Sequence, residues 1–184
     1  MTKGFETIAL TTDRLRLRPL NPADADGVFT VFADARVTRF LSRPKWTGVH
    51  QAHEHIARDL AALSAGQYLR LGLERRADGV LLGECCLFNR VEGSRRAEIG
   101  YALAHAHWGQ GYMNEALRAL LAYGFGSMDL NRVEADIDPR NRGSAASLER
   151  LGFRHEGLLR ERWIVSGEVS DTALYGLLRA EWAG

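Results

Sequence analysis

The sequence contains few cysteines, few prolines and no long apolar run, and these shortages exclude several classes of protein. It has two cysteines and four prolines among 184 residues. Cys85 and Cys86 are adjacent and have no other partner, so we expect reduced thiols in the core of a cytoplasmic protein rather than a disulfide framework. No stretch approaches roughly 18 apolar residues, and charges occur too early for a signal peptide, so we predict neither a membrane span nor secretion.

The chain also carries little net charge. Lys and Arg number 24 and Asp and Glu number 23, which gives +1 at pH 7. A nearly neutral chain has no overall field to attract nucleic acid or an anionic membrane, and we expect neither as a partner. Its hydrophobic and charged contents, 46% and 26%, are typical of globular proteins, and its length predicts a single domain over residues 1–184.

Hydrophobic periodicity predicts an α/β (α+β) fold. Alternation of apolar and polar residues predicts strands at 12–20, 68–74, 80–88, 97–103, 132–137 and 172–178, and one more before a turn at 166–167. Spacings of three and four predict helices near 25–32, 52–63, 112–128 and 144–151. The polar segment 89–96 is predicted as a loop, and Arg14, Arg16 and Arg18 are expected to form a solvated strand face. Strands that follow one another with few helices between them indicate a mixed, mostly antiparallel sheet of six or seven strands with helices on both faces.

Glycine, by contrast, is abundant, and two glycines stand directly before the strongest predicted helix. The chain has 19 glycines, of which Gly109 and Gly111 lead into the helix at 112–128. Glycine allows close approach of the backbone to a ligand, and the first turn of a helix has unpaired N–H groups, so together they predict a cradle for phosphate oxygens. It is not a Walker loop, which needs a lysine after the last glycine, nor a dinucleotide fingerprint, which needs glycine where Asn114 stands.

The same segment resembles a known family. Residues 108–113 follow the pattern Gln/Arg-x-x-Gly-x-Gly/Ala of the GNAT (Gcn5-related N-acetyltransferase) superfamily, with Gly111 as the central glycine; Trp108 and Met113 depart from it. Three further segments resemble the RimJ/RimL-type branch, which acetylates protein N-termini: TTDRLRLRPL near the start, NRGSAASLERLGF at 141–153 and SGEVSDTALYGLL near the end. The resemblance covers about residues 11–182, which we expect to be the core of the domain.

The resemblance implies a sheet that splays between two central parallel strands, with acetyl-CoA as cosubstrate in the splay. The pantetheine arm would pair with an open strand edge, where a backbone N–H would stabilise the oxyanion. The pyrophosphate would lie on the amides of residues 108–113, and a side chain at the start of the next helix would bond the pantetheine arm. The residues that the resemblance assigns to the cofactor are Tyr101, Ala102, Leu103, Trp108, Gly109, Gln110, Gly111, Tyr112, Met113 and Asn141.

Two residues are candidates for catalysis by direct attack of an amine. An α-amino group titrates near about 7.7–8.0, so an N-terminal acceptor needs only a weak base, and the resemblance assigns that role to Glu98. The alternative is a surface carboxylate paired with Arg95 or Arg96. Ser144 would hydrogen-bond the departing thiolate, because Leu148 stands where many relatives have tyrosine; the alternative is that Ser144 only caps a helix.

Three histidines resemble a metal cluster, but we predict no metal site. His50 and His53 share a helix face and His55 points away, with no further ligand at suitable spacing, so all three are expected to be solvated.

The resulting expectation is an N-acetyltransferase. The leading acceptor is the N-terminal α-amino group of a protein or peptide, of the ribosomal-protein type, and the alternative is a small amine such as an antibiotic, polyamine or amino acid. A non-catalytic acyl-CoA-binding sensor stays open, because Leu148 and Trp108 depart from the usual pattern. The resemblance is compatible with a monomer or a homodimer.

Overall fold

The structure, a computed structural model, describes residues 4–184, and residues 1–3 of the expected domain lie outside the described residues. The strands are β1 (Leu10–Thr11), β2 (Leu15–Arg18), β3 (Leu69–Arg75), β4 (Leu81–Val91), β5 (Arg96–Leu103), β6 (Arg132–Ile137), β7 (Arg154–Val165) and β8 (Glu168–Leu178). The α-helices are α1 (Ala25–Ala33), α2 (Ala35–Thr38), α3 (His50–Ser64), α4 (Tyr112–Gly126) and α5 (Arg142–Arg150). Short 3-10 turns occur at Pro22–Asp24, Glu92–Ser94, His105–His107 and Arg179–Glu181.

The strands form one mixed sheet, as the sequence predicts. Its order is β1-β2-β3-β4-β5-β6-β8-β7, and every neighbouring pair is antiparallel except β5 and β6. Within residues 4–184 the sheet has eight strands rather than six or seven. The additional strand is β1, whose Leu10 and Thr11 pair with Leu17 and Arg16. A strand of two residues has too little alternation to be recognised in the sequence.

Two hydrophobic cores cover the two faces of the sheet. One contains Leu117 of α4 and Leu148 of α5, and the other contains Val28 of α1 and Ile56 of α3. Along β5, Ile99 and Leu103 belong to the first core and Ala102 to the second. Since successive side chains of a strand point to opposite faces, the two sets of helices lie on opposite sides of the sheet, as predicted.

The two parallel strands separate after a short paired stretch. β5 pairs with β6 only at Arg96 with Arg132, Ala97 with Val133 and Glu98 with Glu134. Beyond this point β5 stays paired with β4 as far as Leu103, and β6 stays paired with β8 as far as Ile137. Because β5 stays beside β4 and β6 stays beside β8, a gap opens between β5 and β6. Among the described residues, the edge of β5 that faces this gap has no partner strand from residue 99 onward. This is the splay that the resemblance implies.

The prediction of a loop at 89–96 is wrong. β4 continues to Val91 and β5 begins at Arg96, with only a short turn between them. Asn89 and Arg95 both adopt φ values of 48°, and the pairing shifts register between Phe88 and Val91. A bulged hairpin end exposes polar residues on both faces, so its sequence has the composition of a loop.

The cysteines lie in the core, as predicted. Cys85 and Cys86 are both buried free thiols, and burial raises the pKa of each. Among residues 4–184, no helix combines the length and apolar character needed to cross a membrane.

Candidate active site

The turn before α4 presents a row of free backbone amides. Gly109 and Gly111 have φ values of 72° and 81°, and Gly111 caps α4 without any side-chain hydrogen bond. Within the described residues, the N–H groups of residues 109–114 donate to no protein acceptor. They lie at the positive end of a helix of 15 residues, so this turn can bind an anion such as a phosphate. The N–H of Trp108 is different, because it donates to the carbonyl of His105 at 3.2 Å.

Arg14, the residue directly before β2, fixes this turn. Its Nη1 donates to the carbonyl oxygen of Gln110 at 2.9 Å, and its Nε donates to Glu115 Oε2 at 2.6 Å. Its guanidinium also lies 4.4 Å from the ring centroid of Tyr112. Arg14 is exposed, as predicted, but it also pairs with the carboxylate of Glu115 on α4. Arg18 is likewise paired with acidic side chains.

Trp108 lies where the turn meets the splay. Its side chain is 47% exposed, and its Nε1 donates to the carbonyl oxygen of Leu103 at 2.7 Å. Ala102 and Leu103 have buried side chains, so they offer mainly backbone groups to the gap between β5 and β6. Met113 is buried too, which accounts for a large residue at a position that is usually small.

Tyr101 and Ser144 meet across the splay. The hydroxyl oxygens Tyr101 Oη and Ser144 Oγ are 2.6 Å apart, and either can donate. Burial raises the pKa of Tyr101 to about 12, so this hydroxyl stays protonated in the neutral range. Asn141 is the cap of α5, since its Oδ1 accepts from the Ser144 N–H at 3.1 Å. Capping is therefore not the role of the Ser144 side chain, and the hydroxyl of Tyr101 is a site group that sequence reasoning missed.

Glu98 lies at the last paired position before β5 and β6 separate. Its half-buried carboxylate accepts a hydrogen bond from Asn89 Nδ2 at 3.1 Å. Arg95 binds Asp129 and Arg96 binds Glu134, and within residues 4–184 Glu98 forms no ion pair. The alternative interpretation of the sequence, in which Glu98 pairs with Arg95 or Arg96, is therefore wrong.

A cleft of about 440 Å³ opens beside Glu98. It is bounded by the segment 38–45 after α2, by β4 and β5 around Phe88 and Gly100, and by the end of the β7–β8 hairpin. No side chain would fit on Gly100 without crowding, because a Cβ there would lie 3.2 Å from Cys86 Sγ and from the Phe88 ring. The cleft therefore reaches the backbone of β5 next to the splay.

The prediction of three solvated histidines is wrong for His55. His50 and His53 are exposed, but His55 is 2% exposed. Its Nε2 lies 2.9 Å from Glu84 Oε2 and 3.1 Å from Asp59 Oδ2. Histidine with two carboxylates is a set that can bind a metal, but Arg70 contacts both carboxylates and already supplies the positive charge. The spacing of four between His55 and Asp59 was a signal that both share the buried helix face.

The chain is similar to known acetyltransferases. A family profile described as an acetyltransferase (GNAT) domain matches residues 14–154. A Bacillus licheniformis protein named uncharacterized N-acetyltransferase p20 is 37% identical over 176 residues, which cover 95% of this chain and 98% of the relative. The ribosomal protein uS5-alanine N-acetyltransferase of Escherichia coli is 29% identical over 184 residues, covering 95% and 93%. The solved structure of Mycobacterium smegmatis RimJ in complex with CoA-disulfide has a TM-score of 0.86 and 26% identity, covering 99% of this chain and 92% of that chain.

Proposed function

The chain belongs to the GNAT acetyltransferase family, and we propose that it transfers acetyl to the N-terminal α-amino group of a protein or peptide. Acetyl transfer by an N-acetyltransferase follows from the family. The acceptor is the proposal, and two findings support it: the Escherichia coli relative is named for the alanine of ribosomal protein uS5, and three segments of this sequence resemble the branch that acts on N-termini. The observation that carries the proposal is the open edge of β5, which lies between the free amides of the glycine turn and Glu98.

The residues on both sides of the splay fit acetyl-CoA. The amides of residues 109–114 would hold its pyrophosphate, and the unpaired edge of β5 at residues 101–103 would pair with the pantetheine arm. The Nδ2 group of Asn141 has no protein acceptor among the described residues and would donate to the same arm. The RimJ structure of Mycobacterium smegmatis, which contains a CoA-disulfide, supports a coenzyme A derivative as the ligand of this fold. When bound, acetyl-CoA supplies an activated acetyl thioester.

Glu98 would take the proton of the acceptor amine. Keeping an α-amino group neutral at pH 7 costs about 1–1.4 kcal/mol, whereas a lysine side chain costs about 4.6 kcal/mol. A single carboxylate suits the first task better than the second, with the proton passing directly or through one water. Asn89 would hold the Glu98 carboxylate in place, and a backbone N–H of β5 would stabilise negative charge on the acetyl oxygen.

Ser144 and Tyr101 would stabilise the departing thiolate. If Tyr101 donates to Ser144 Oγ, the hydrogen of Ser144 is free to bond the sulfur. A thiol titrates near about 8.5, well below the pKa of about 12 for Tyr101, so the proton stays on the tyrosine. The pair therefore acts by hydrogen bonding rather than by complete proton transfer.

The test is acetyl transfer with matched acceptors. The protein and acetyl-CoA are incubated with peptides whose α-amino group is free, with the same peptides formylated at that group but containing a lysine, and with small amines. We expect thiol release with the free N-termini and little with the formylated controls. Transfer only to small amines would favour the alternative acceptor, for which a cleft of about 440 Å³ is also large enough. Binding of acetyl-CoA without transfer to any amine would indicate a sensor.

A further inference from the structure

Arg43 brings an unpaired positive charge into the cleft beside Glu98. Its guanidinium lies 4.1 Å from the ring centroid of Phe32 and 5.4 Å from that of Trp46. Within residues 4–184 it makes no ion pair and no hydrogen bond, although it lines the cleft. Burial lowers the pKa of Arg43 and the charge of Glu84 raises it in part, and an arginine stays protonated in proteins. A desolvated guanidinium with free N–H donors is a strong site for a planar anion.

The acidic side chains of the cleft do not neutralise Arg43, because other arginines bind them. Arg140 binds Asp138 and Glu168, and Arg162 binds Asp136. Glu98, which binds Asn89, is the remaining carboxylate of the described cleft. Among the cations that line the cleft, Arg39, Arg43 and Lys45 are in no ion pair within residues 4–184. The cleft thus combines one carboxylate that is in no ion pair, Glu98, with three cations that are likewise in none within residues 4–184.

From this arrangement we infer that the acceptor carries a carboxylate near its reactive amine, and that Arg43 binds this carboxylate while Glu98 receives the amine. The inference rests on the proposed acetyl transfer and adds the chemical class of the acceptor. An acidic acceptor satisfies the stacked guanidinium, whereas a neutral acceptor displaces water from Arg43 and leaves its donors without a partner. The carboxylate has two sources, an acidic side chain near a peptide N-terminus or the α-carboxylate of a free amino acid.

The first experiment compares acceptors that differ only in this charge. One arm uses tripeptide amides with Asp or Asn at the second position, and the other uses alanine and alaninamide. Thiol release gives kcat/KM for each, expressed per neutral amine so that differences in amine pKa cancel. In one arm we expect kcat/KM to be about 10- to 100-fold higher for the acidic member than for the neutral member, mainly through a lower KM. The arm that shows this preference identifies the source of the carboxylate. Equal rates within both arms overturn the inference and leave acetyl transfer intact.

The second experiment assigns the preference to Arg43. In Arg43→Gln the ratio of kcat/KM between acidic and neutral acceptors should fall towards one, and in Arg43→Lys it should fall only in part. Arg16→Gln removes the same charge from an exposed position of β2 outside the cleft and should keep the wild-type ratio. An unchanged ratio in Arg43→Gln contradicts the assignment. If that variant does not fold, the comparison of acceptors with the wild-type protein still tests the inference. If none of the tested amines gives thiol release, the proposed function and the inference are refuted together.

Discussion

Among the described residues, the Glu98 carboxylate accepts one hydrogen bond, from Asn89. A single substitution can therefore test its role as the base. We expect Glu98→Gln to lower kcat about 100-fold at pH 7, the weak end of general-base effects, because part of an α-amino acceptor is already neutral. At pH 9 the acceptor loses its proton to solvent, so the defect should shrink to a few-fold. Steady-state rates of thiol release between pH 6 and pH 9 measure this.

The matched control for this substitution is Glu92→Gln, which removes an exposed carboxylate from the neighbouring turn. It should leave the pH profile of the wild type unchanged. A loss in Glu98→Gln that is equal at pH 7 and pH 9 would point to a structural role for the carboxylate.

The pair of hydroxyls across the splay predicts coupled effects on turnover. Tyr101→Phe should lower kcat about tenfold and Ser144→Ala about 10- to 100-fold, with little change in KM for acetyl-CoA. The double variant should resemble Ser144→Ala alone, because the tyrosine acts through the serine. Tyr123→Phe removes a hydroxyl from α4 as a control. Additive losses in the double variant would show that the two hydroxyls act separately.

Gly111 predicts a specific loss of cofactor affinity. Gly111→Asp places a side chain at a φ of 81° and a negative charge beside the free amides, so the Kd for acetyl-CoA should rise more than tenfold. Gly79→Asp is matched to it, since Gly79 has a φ of 73° in a hairpin turn with open space around it. Calorimetry should show wild-type affinity in Gly79→Asp. Equal affinity in both variants would reject the glycine turn as the pyrophosphate site.

At the scale of residues, the sequence identified candidate site residues that belong to motifs, but it did not identify the side chains that contact them. Gly111, Glu98 and Ser144 stand in recognisable patterns; the structure places Glu98 where β5 and β6 separate, Ser144 against Tyr101 and Gly111 at the start of α4. Their partners lie elsewhere: Asn89 lies in a bulge, and Arg14 lies directly before β2. Which side chains meet across a bulge or between a strand and a helix depends on register and packing, and neither has a local signature.

Two substitutions of Asn141, the cap of α5, distinguish capping of the helix from hydrogen bonding to acetyl-CoA. Asn141→Asp keeps an oxygen that accepts from the Ser144 N–H, so stability should be unchanged within about 0.5 kcal/mol, whereas Asn141→Ala should cost about 1 kcal/mol. Only the amide donates hydrogen bonds, so both variants should raise KM for acetyl-CoA. Urea denaturation and steady-state kinetics give the two numbers. A normal KM in Asn141→Asp would limit Asn141 to capping.

Regular elements were predictable where their periodicity was long. The strand predicted at 132–137 has the observed bounds of β6, and the helix predicted at 112–128 corresponds to α4, because each buries one face throughout its length. The helix α2 and the strand β1 have four and two residues, which is too short for a period to show. The splay itself follows from how β4 and β8 pair with the central strands, and only the family resemblance implied it.

For the whole molecule, the buried cluster of His55, Asp59, Arg70 and Glu84 predicts sensitivity to acid. Burial alone raises the pKa of Glu84, but Arg70 and His55 outweigh it and lower the pKa from 4.5 to about 2. A carboxyl whose pKa is lowered by folding stabilises the native state above about pH 4.5, and this contribution disappears as the pH falls towards 2. We expect the free energy of unfolding to decline through this range in urea titrations.

Glu84→Gln tests that origin. At pH 7 it should cost about 3–5 kcal/mol, since it removes one partner of a buried ion pair. Its stability should then fall less than that of the wild type between pH 4.5 and pH 2. Glu92→Gln, at an exposed position, should follow the wild-type curve. Parallel acid curves for Glu84→Gln and the wild type would assign the acid sensitivity to other carboxylates.

Within residues 4–184, β5 is joined to β6 by three residue pairs, so the sheet consists of two half-sheets that meet at a short seam. Any extended molecule that lies along β5 beyond the seam is recognised through main-chain atoms, as an added strand would be. Main-chain atoms are the same in every residue, so recognition along this edge places little constraint on which residues form the strand. A groove of this kind can therefore persist among chains that share as little as 37% or 29% of their residues, the identities of this chain to two of its relatives.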